Sequence, residues 1–331
     1  KLEIMKKGMD VDKKTKLQYT AKYSGISNYW KYYIGQSKGL KRMRVYSKKL
    51  AIENSFENWV NNGDSVRAKK YSGVLPELEK AYEKNKKIAF NRTYLTEAIF
   101  QGPEILSFSY TMKNRINALP KDKEKRTEGL RKLKKLAKEF YKDYNPAIDQ
   151  ELLSAMLEMY YYNVPKSQHA PIFKKIENQL FGFKNLDFVF FAKNLFKRSY
   201  FSNEEKCINF LKNPSKYLAE KDPAYLVFSS IYDKYLSELY PGRKEVRDLM
   251  RRGNRLFIAG VREMDTLRNF YPDANSTMRV TYGKIKDYKA QEAVFYDYYT
   301  TLTGVIDKED STNNEFVVPD RLKELESTKD Y

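Results

Sequence analysis

The side chains that commonly perform hydrolytic chemistry are scarce in this sequence. His169 is the single histidine and Cys207 the single cysteine. A Ser–His–Asp relay requires a histidine beside its nucleophile, but His169 lies in Ser-Gln-His-Ala-Pro, a pattern typical of a loop that starts a helix. We therefore expect His169 to be a surface or capping histidine. We expect Cys207 to be a small, buried hydrophobic residue.

Metal and cofactor chemistry also lacks a sequence pattern. One histidine cannot build a His-based zinc site, and one cysteine can form neither an intramolecular disulfide nor a Cys-based cluster. No Gly-x-Ser-x-Gly elbow, phosphate-binding glycine loop or dinucleotide fingerprint occurs. The acidic residues Asp307, Glu309 and Asp310 are of a type that can bind a cation, but a solvated helix end is the favoured interpretation. The sequence therefore predicts no catalytic residue, no metal and no cofactor, and it leaves open whether the chain is an enzyme.

The net charge of +19 is the strongest compositional signal. Such a charge is compatible with binding to nucleic acid or to another anionic surface. The lysines are spread along the chain, however, which is typical of the solvated outer faces of many helices. We therefore predict no nucleic-acid partner. A self-standing basic helical protein that binds nucleic acid or an acidic protein partner is kept as the alternative hypothesis.

The elements that must position any site are predicted to be helices. Apolar residues recur at three- and four-residue spacing through most of the chain, and aromatic residues make up 15% of it, enough for a large core. We predict a mainly α fold, an irregular multi-helix bundle. Gly25, the Pro241-Gly242 pair and Gly260 are predicted to end or interrupt helices. The predicted helices span residues 12–23, 28–40, 40–61, 76–90, 104–119, 128–144, 146–164, 170–181, 185–200, 203–212, 223–240 and 244–270.

The pattern changes near the C-terminal end of the sequence. Met278, Val280 and Tyr282 alternate with polar residues and Gly283 closes the run, which predicts a short strand over 278–282. A strand must pair to satisfy its backbone hydrogen bonds, and few other strands are predicted. We therefore divide the chain into a helical domain at 1–272 and a return segment at 273–331. This segment contains the strand, an irregular aromatic stretch and a terminal helix, and is expected to dock on structure outside the sequence.

Two further features bear on cellular context. No run of about 18 apolar residues occurs, so no membrane span is predicted. The first residues contain neither an apolar signal core nor a cleavage site. Since the sequence opens in what resembles the middle of a helix, we expect it to be part of a longer protein.

Two sets of motifs bracket nearly the whole chain. The first set is Ala21-Lys-Tyr, Asn28-Tyr-Trp-Lys, Ile34-Gly and Lys38-Gly-Leu. The second set is Tyr271-Pro-Asp-Ala-Asn-Ser-Thr-Met-Arg-Val-Thr-Tyr-Gly, Tyr296-Asp-Tyr-Tyr-Thr-Thr, Gly304-Val-Ile-Asp-Lys-Glu and Glu315-Phe-Val-Val-Pro. In order and spacing these motifs resemble the bacterial dipeptidyl-peptidase 7 and 11 family of serine exopeptidases.

The resemblance implies a particular architecture and activity. Members of this family have a chymotrypsin-like double β-barrel with a large helical domain inserted into it, which caps the cleft between the barrels. They remove dipeptides from free peptide N-termini in the periplasm or at the cell surface. Their catalytic His, Asp and Ser lie in the barrels, and the Gly-Asn-Ser-Gly-Ser-Pro nucleophile motif is absent here. We therefore expect this chain to be the helical domain, with the double β-barrel and the peptide substrate as its partners. Homodimerisation of the parent enzyme is left open.

The resemblance also supplies candidate site residues, which would face the cleft or dock on the barrels. For Trp30 and Tyr282 interdomain packing is favoured, whereas Arg279 can pair with a carboxylate of either the substrate or the barrel. The positive charge could steer acidic peptides toward the cleft, but the preference for an acidic or a hydrophobic second residue is left open. The candidates are Asn28, Trp30, Lys31, Asn275, Arg279 and Tyr282.

Overall fold

The computed structural model describes residues 1–179, 187–271, 275–278, 280–313 and 315–329. Helices dominate this part of the chain, and a two-stranded sheet follows near the C-terminal end, which confirms the predicted mainly α fold. The chain divides into two compact units, residues 1–268 and 269–331. In the described part of the chain, no helix combines the length and the apolar character that crossing a membrane would require.

The first unit consists of helices joined by short connections. Several of these helices begin at a residue whose side chain caps the first turn. The Asp12 carboxylate accepts the N–H of Thr15, and the Asn145 side chain accepts those of Ala147 and Ile148. The helices are Leu2–Met9 (α1), Lys13–Arg42 (α2), Val45–Asn61 (α3), Ser65–Tyr71 (α4), Val74–Tyr94 (α5), Glu104–Asn117 (α6), Lys123–Lys142 (α7), Pro146–Asn163 (α8), Pro171–Gln179 (α9), Phe188–Arg198 (α10), Glu204–Phe210 (α11), Lys216–Glu220 (α12), Pro223–Lys234 (α13) and Tyr240–Met264 (α14).

The main hydrophobic core joins residues of α6 to α13, and much of it is aromatic. Phe108 of α6 stacks on Phe140 of α7 with ring centroids 3.8 Å apart, and Tyr160 of α8 stacks on Phe173 of α9 at 5.4 Å. Offset and edge-on aromatic pairs stabilise a core beyond the area that they bury. Helix α10 buries Phe188 and Phe196 in this core but leaves Phe190 exposed.

A second layer packs α14 against α3, α4 and α5. Gly260 makes this close approach possible, because a Cβ atom there would lie 2.4 Å from Cε2 of Phe56. The predicted interruption at Gly260 is therefore wrong: the glycine lies within a continuous helix, where it admits a neighbouring ring.

The predicted turn at Pro241-Gly242 is also wrong, since both residues lie in the first turn of α14. A proline there removes one backbone N–H and crowds the preceding turn. A π-helical turn at Tyr235–Leu239 joins the end of α13 to the start of α14, so the chain is continuously helical from α13 through α14. A second π-helical turn at Leu95–Phe100 follows α5 and ends before Gly102-Pro103, directly after which α6 begins.

Helix α2 differs most from its prediction. The sequence predicted one helix that ends at Gly25 and another that begins after Ser27, whereas α2 runs unbroken from Lys13 to Arg42. Leu17, an apolar residue of the first half of this helix, is 81% exposed. Packing of Tyr19 into a small core with Met5, Ile148 and Leu152 stabilises the first half of the helix. Glycine disfavours a helix by only about 1 kcal/mol, which such packing can offset.

The second unit contains a β-hairpin and two short helices. Strands Tyr288–Gln291 (β1) and Val294–Tyr296 (β2) pair antiparallel, and α15 (Leu302–Ile306) and α16 (Asp320–Thr328) follow. The predicted strand over 278–282 is wrong, because 278 and 280–282 form no ladder. Alternating apolar and polar residues form a strand only where a neighbouring strand is available for pairing. In this unit β1 and β2 pair with each other. The predicted terminal helix is confirmed as α16, which begins directly after Pro319.

Candidate functional site

The first part of the site is a groove in the first unit, about 820 Å3 in volume, which lies along α2. One wall is aromatic and consists of Tyr29, Trp30 and Tyr33, all largely exposed. Since these residues are spaced at one, three and four positions, they lie along one side of the helix. We call this concavity the α2 groove; it is lined by Met5, Lys22, Ile26, Tyr29, Trp30, Tyr33, Glu97 and Glu104, among others.

Three of the candidate residues lie on α2. Trp30 lines the α2 groove and is 55% exposed, so its indole is available to a ligand or to another domain. Asn28 and Lys31 are also exposed but are not among the groove-lining residues. The motif therefore brings two large aromatic side chains, Tyr29 and Trp30, into the groove and places two polar ones beside them on the same helix.

A charged pair, Lys22 and Glu104, is part of the lining of the α2 groove. Nζ of Lys22 lies 2.8 Å and 2.9 Å from the two carboxylate oxygens of Glu104, and the same ammonium donates to the backbone carbonyl of Asp143. Lys22 also lies over the ring of Tyr19, with Nζ 4.6 Å from the centroid. Both partners of the pair are half-buried, so it fixes the position of α2 relative to the start of α6.

The buried carboxylate of Asp149 fixes the backbone of Glu104. Oδ1 of Asp149 accepts the backbone N–H of Glu104 at 2.6 Å, and Oδ2 accepts that of Ile105 at 2.8 Å. The Tyr144 hydroxyl donates to Oδ2 at 2.9 Å. Asp149 therefore caps α6 from a different helix, which satisfies two N–H groups that a helix start leaves unpaired.

The environment of Asp149 alters its protonation. Burial and, second, the Glu104 carboxylate raise the pKa of Asp149 to about 7, against the opposing effect of its hydrogen-bond donors. Burial likewise raises the pKa of Tyr144 well above its usual range. Sequence analysis missed this network because Asp149 lies within the apolar pattern of α8. A polar residue at a core position was the available signal.

The histidine and the cysteine serve structural purposes. Nε2 of His169 lies 2.8 Å from the carbonyl oxygen of Val164, and its half-buried ring packs near Tyr161 and Phe173. Cys207 is fully buried, as predicted, and burial raises the pKa of its thiol to about 12. A thiol of this kind is not a nucleophile near neutral pH.

The remaining candidates belong to the second unit. Asn275 is exposed and its Oδ1 accepts the Thr277 hydroxyl at 2.9 Å, which closes a local turn. Tyr282 is 98% exposed. Arg279 lies outside the described residues. A concavity in this unit is lined by residues between Thr300 and Pro319, and none of these candidates is among them.

Comparison with known proteins gives matches over the whole chain. The peptidase S46 family matches residues 1–331. Dipeptidyl-peptidase 7 of Porphyromonas gingivalis is 34% identical over 339 residues, which cover 99% of this chain and 45% of that protein. The Asp/Glu-specific dipeptidyl-peptidase of Flavobacterium psychrophilum is 28% identical over 334 residues, which cover 100% of this chain and 45% of that protein.

A solved structure matches in the same way. The crystal structure of Porphyromonas endodontalis DPP11 in complex with the dipeptide Arg-Glu aligns with a TM-score of 0.81 at 26% identity, covering 100% of this chain and 46% of that one. The chain thus spans less than half the length of the relatives it matches.

Proposed function

Because this chain belongs to the peptidase S46 family, we propose that it forms the helical cap of a serine dipeptidyl-peptidase that releases dipeptides from free peptide N-termini. One observation carries the proposal: the whole chain matches curated dipeptidyl-peptidases of more than twice its length. The catalytic Ser, His and Asp then belong to the double β-barrel of the same polypeptide, so this chain contributes binding and closure.

The α2 groove supports the role of a cap. Its aromatic wall and its charged pair, Lys22 and Glu104, offer both apolar contact and fixed polar groups to an extended peptide. In the proposed enzyme Trp30 faces the catalytic cleft, with Asn28 and Lys31 beside it. Closing the helical unit over the barrels excludes water and holds the peptide in place.

The second unit is proposed to return the chain to the barrel. Tyr282 is exposed in a segment without a ladder partner, and with Asn275 and Arg279 it would dock there. The enzyme is proposed to act in the periplasm or at the cell surface. The net charge of +19 would favour the approach of acidic peptides.

The proposal is tested by measuring dipeptide release from one peptide in two forms, with a free and with an acetylated N-terminus. We expect the full-length protein that carries this chain to release dipeptides from the free form only. The 331-residue chain alone is expected to release none, since its single histidine is held by a backbone carbonyl.

Two results would contradict the proposal. One is dipeptide release by the 331-residue chain alone, at a rate comparable to that of the full-length protein. The other is full-length protein that cleaves neither form of the peptide. Tight, steeply salt-dependent binding of random duplex DNA by an inactive protein would instead favour the basic-protein alternative.

A further inference from the structure

The close packing of α5 against α14 brings two arginines together. A Cβ atom at Gly253 would lie 2.6 Å from Leu78, and one at Gly242 would lie 3.3 Å from Ile88. The order of these two pairs shows that the helices run antiparallel, so the end of α5 lies beside the start of α14. Arg92 lies one turn after Ile88, and Arg243 follows Gly242 directly. Both guanidinium groups therefore reach the same end of the helix pair.

At this end lies a pocket of about 600 Å3 between the two π-helical turns, which we call the π-turn pocket. π-helical turns widen a helix locally and are frequent at functional sites. Nη1 of Arg243 donates to the hydroxyl of Tyr235 at 3.0 Å, which orients its guanidinium. The lining residues include Tyr33, Arg92, Thr96, Phe100, Tyr235 and Arg243.

The positive charges of Arg92 and Arg243 in the π-turn pocket are not neutralised by an ion pair with a carboxylate of the pocket. Among the described residues, no carboxylate lies within 4.0 Å of a nitrogen of Arg92 or Arg243. Glu97, the acidic residue of the lining, lies 3.5 Å from Nζ of Lys1. Both arginines are half-buried, and partial burial of a cation without a counter-ion is unfavourable. The planar fork of a guanidinium fits a carboxylate with two parallel hydrogen bonds.

The π-turn pocket adjoins the α2 groove, because Tyr33, Thr93 and Glu97 line both. An extended peptide in the groove can therefore reach the pocket. We propose that the π-turn pocket binds a carboxylate of the peptide whose neighbouring residues lie in the α2 groove. The identity of the ligand as a peptide rests on the proposed function, whereas the anion site rests on the two arginines alone.

The test compares three pentapeptides by isothermal titration calorimetry on the 331-residue chain. They are Ala-Ala-Gly-Gly-Glu-amide, Ala-Ala-Gly-Gly-Gln-amide and Ala-Ala-Gly-Gly-Gln with a free C-terminal acid. The Gln-amide lacks a carboxylate, so it serves as the neutral reference. We expect at least one carboxylate-bearing peptide to bind about tenfold more tightly than the reference. The Glu-amide and the free acid distinguish a side-chain carboxylate from a C-terminal one.

Variants locate the binding. Arg92→Gln combined with Arg243→Gln is expected to remove the tenfold preference, and Tyr235→Phe is expected to weaken it. The matched control combines Lys87→Gln with Lys244→Gln, which removes the same charge from exposed positions on the same two helices. Its preference should stay within about twofold of the unsubstituted chain, as expected for solvent-screened charges that do not line the pocket.

The proposal is overturned if all three peptides bind equally, or if the arginine and lysine double variants lose affinity to the same extent. Equal binding of the three peptides needs no variant, so the outcome does not depend on whether a substituted chain folds. A negative result here would leave dipeptide release by the full-length enzyme unaffected. The proposed anion site and the proposed cap function can therefore be refuted independently.

Discussion

Replacing Trp30 with alanine in the full-length enzyme is expected to lower kcat/KM for dipeptide release by about 10- to 100-fold. The indole lines the α2 groove and is 55% exposed, so it contributes little to the hydrophobic core of the chain. Buried against a peptide, a tryptophan typically contributes about 2 kcal/mol or more to binding. Steady-state kinetics on a peptide with a free N-terminus measures the effect. The Tm of the same variant should differ from that of the unsubstituted enzyme by less than about 3 °C.

The matched control for Trp30→Ala is Tyr46→Ala. Tyr46 is exposed on α3 and is absent from the lining of the α2 groove, so this variant should retain kcat/KM within about twofold of the unsubstituted enzyme, as surface substitutions generally do. If Trp30→Ala retained full activity, or lost activity only in proportion to a lost folded fraction, the tryptophan would not contribute to substrate binding.

Replacing Asp149 with alanine is expected to lower the free energy of unfolding by about 2–4 kcal/mol. Two backbone N–H groups at the start of α6 and the hydroxyl of Tyr144 would each lose their acceptor inside the protein. An unpaired buried donor costs about 1–3 kcal/mol. Chemical denaturation measures the loss. The control Asp122→Ala removes an exposed cap of α7 and should cost about 1 kcal/mol.

The same carboxyl gives stability a specific pH dependence. Asp149 has a pKa of about 7 in the folded chain and an ordinary value near 4 when unfolded. The folded state therefore holds more protons between about pH 4 and pH 7. The stabilisation by the neutral carboxyl is complete below pH 4 and declines as pH rises to about 7.

Asp149→Asn isolates this contribution, because the amide does not titrate. The unfolding free energy of the unsubstituted chain minus that of the variant should fall by up to about 4 kcal/mol between pH 4 and pH 7. A difference that stays constant or rises over this range would show that Asp149 is ionised in the folded chain throughout. Subtracting the variant removes the contribution of the surface carboxylates, which titrate in both proteins.

Local sequence rules predicted the elements whose ends are set by neighbouring residues. Asn145 and Pro146 place the start of α8 because a cap and a proline at the first turn act locally. Such rules failed where contacts distant in sequence decide. Gly25 lies within α2 because the packing of Tyr19 stabilises that helix, and Gly260 lies within α14 because Phe56 requires space.

The candidate site was predicted in part, for a similar reason. The Asn28-Tyr-Trp-Lys motif identified Trp30, because the residues of the motif are consecutive in the sequence and could be compared directly with the family. Lys22, Glu104 and Asp149 were not identified, since they lie far apart in the sequence and meet only when α2, α6 and α8 pack together. Periodicity assigns residues to the inner and outer faces of a helix, but it does not pair helices.

Hydrogen exchange on the full-length enzyme, with and without a bound dipeptide product, tests the assignment of this chain as a substrate-covering cap. Residues 25–34 of α2, which contain the aromatic wall, are predicted to exchange at least about tenfold more slowly when the dipeptide is bound. Helix α7, none of whose residues line the α2 groove, should be unchanged. Slower exchange confined to parts of the enzyme outside this chain, with residues 25–34 unaffected, would contradict the account.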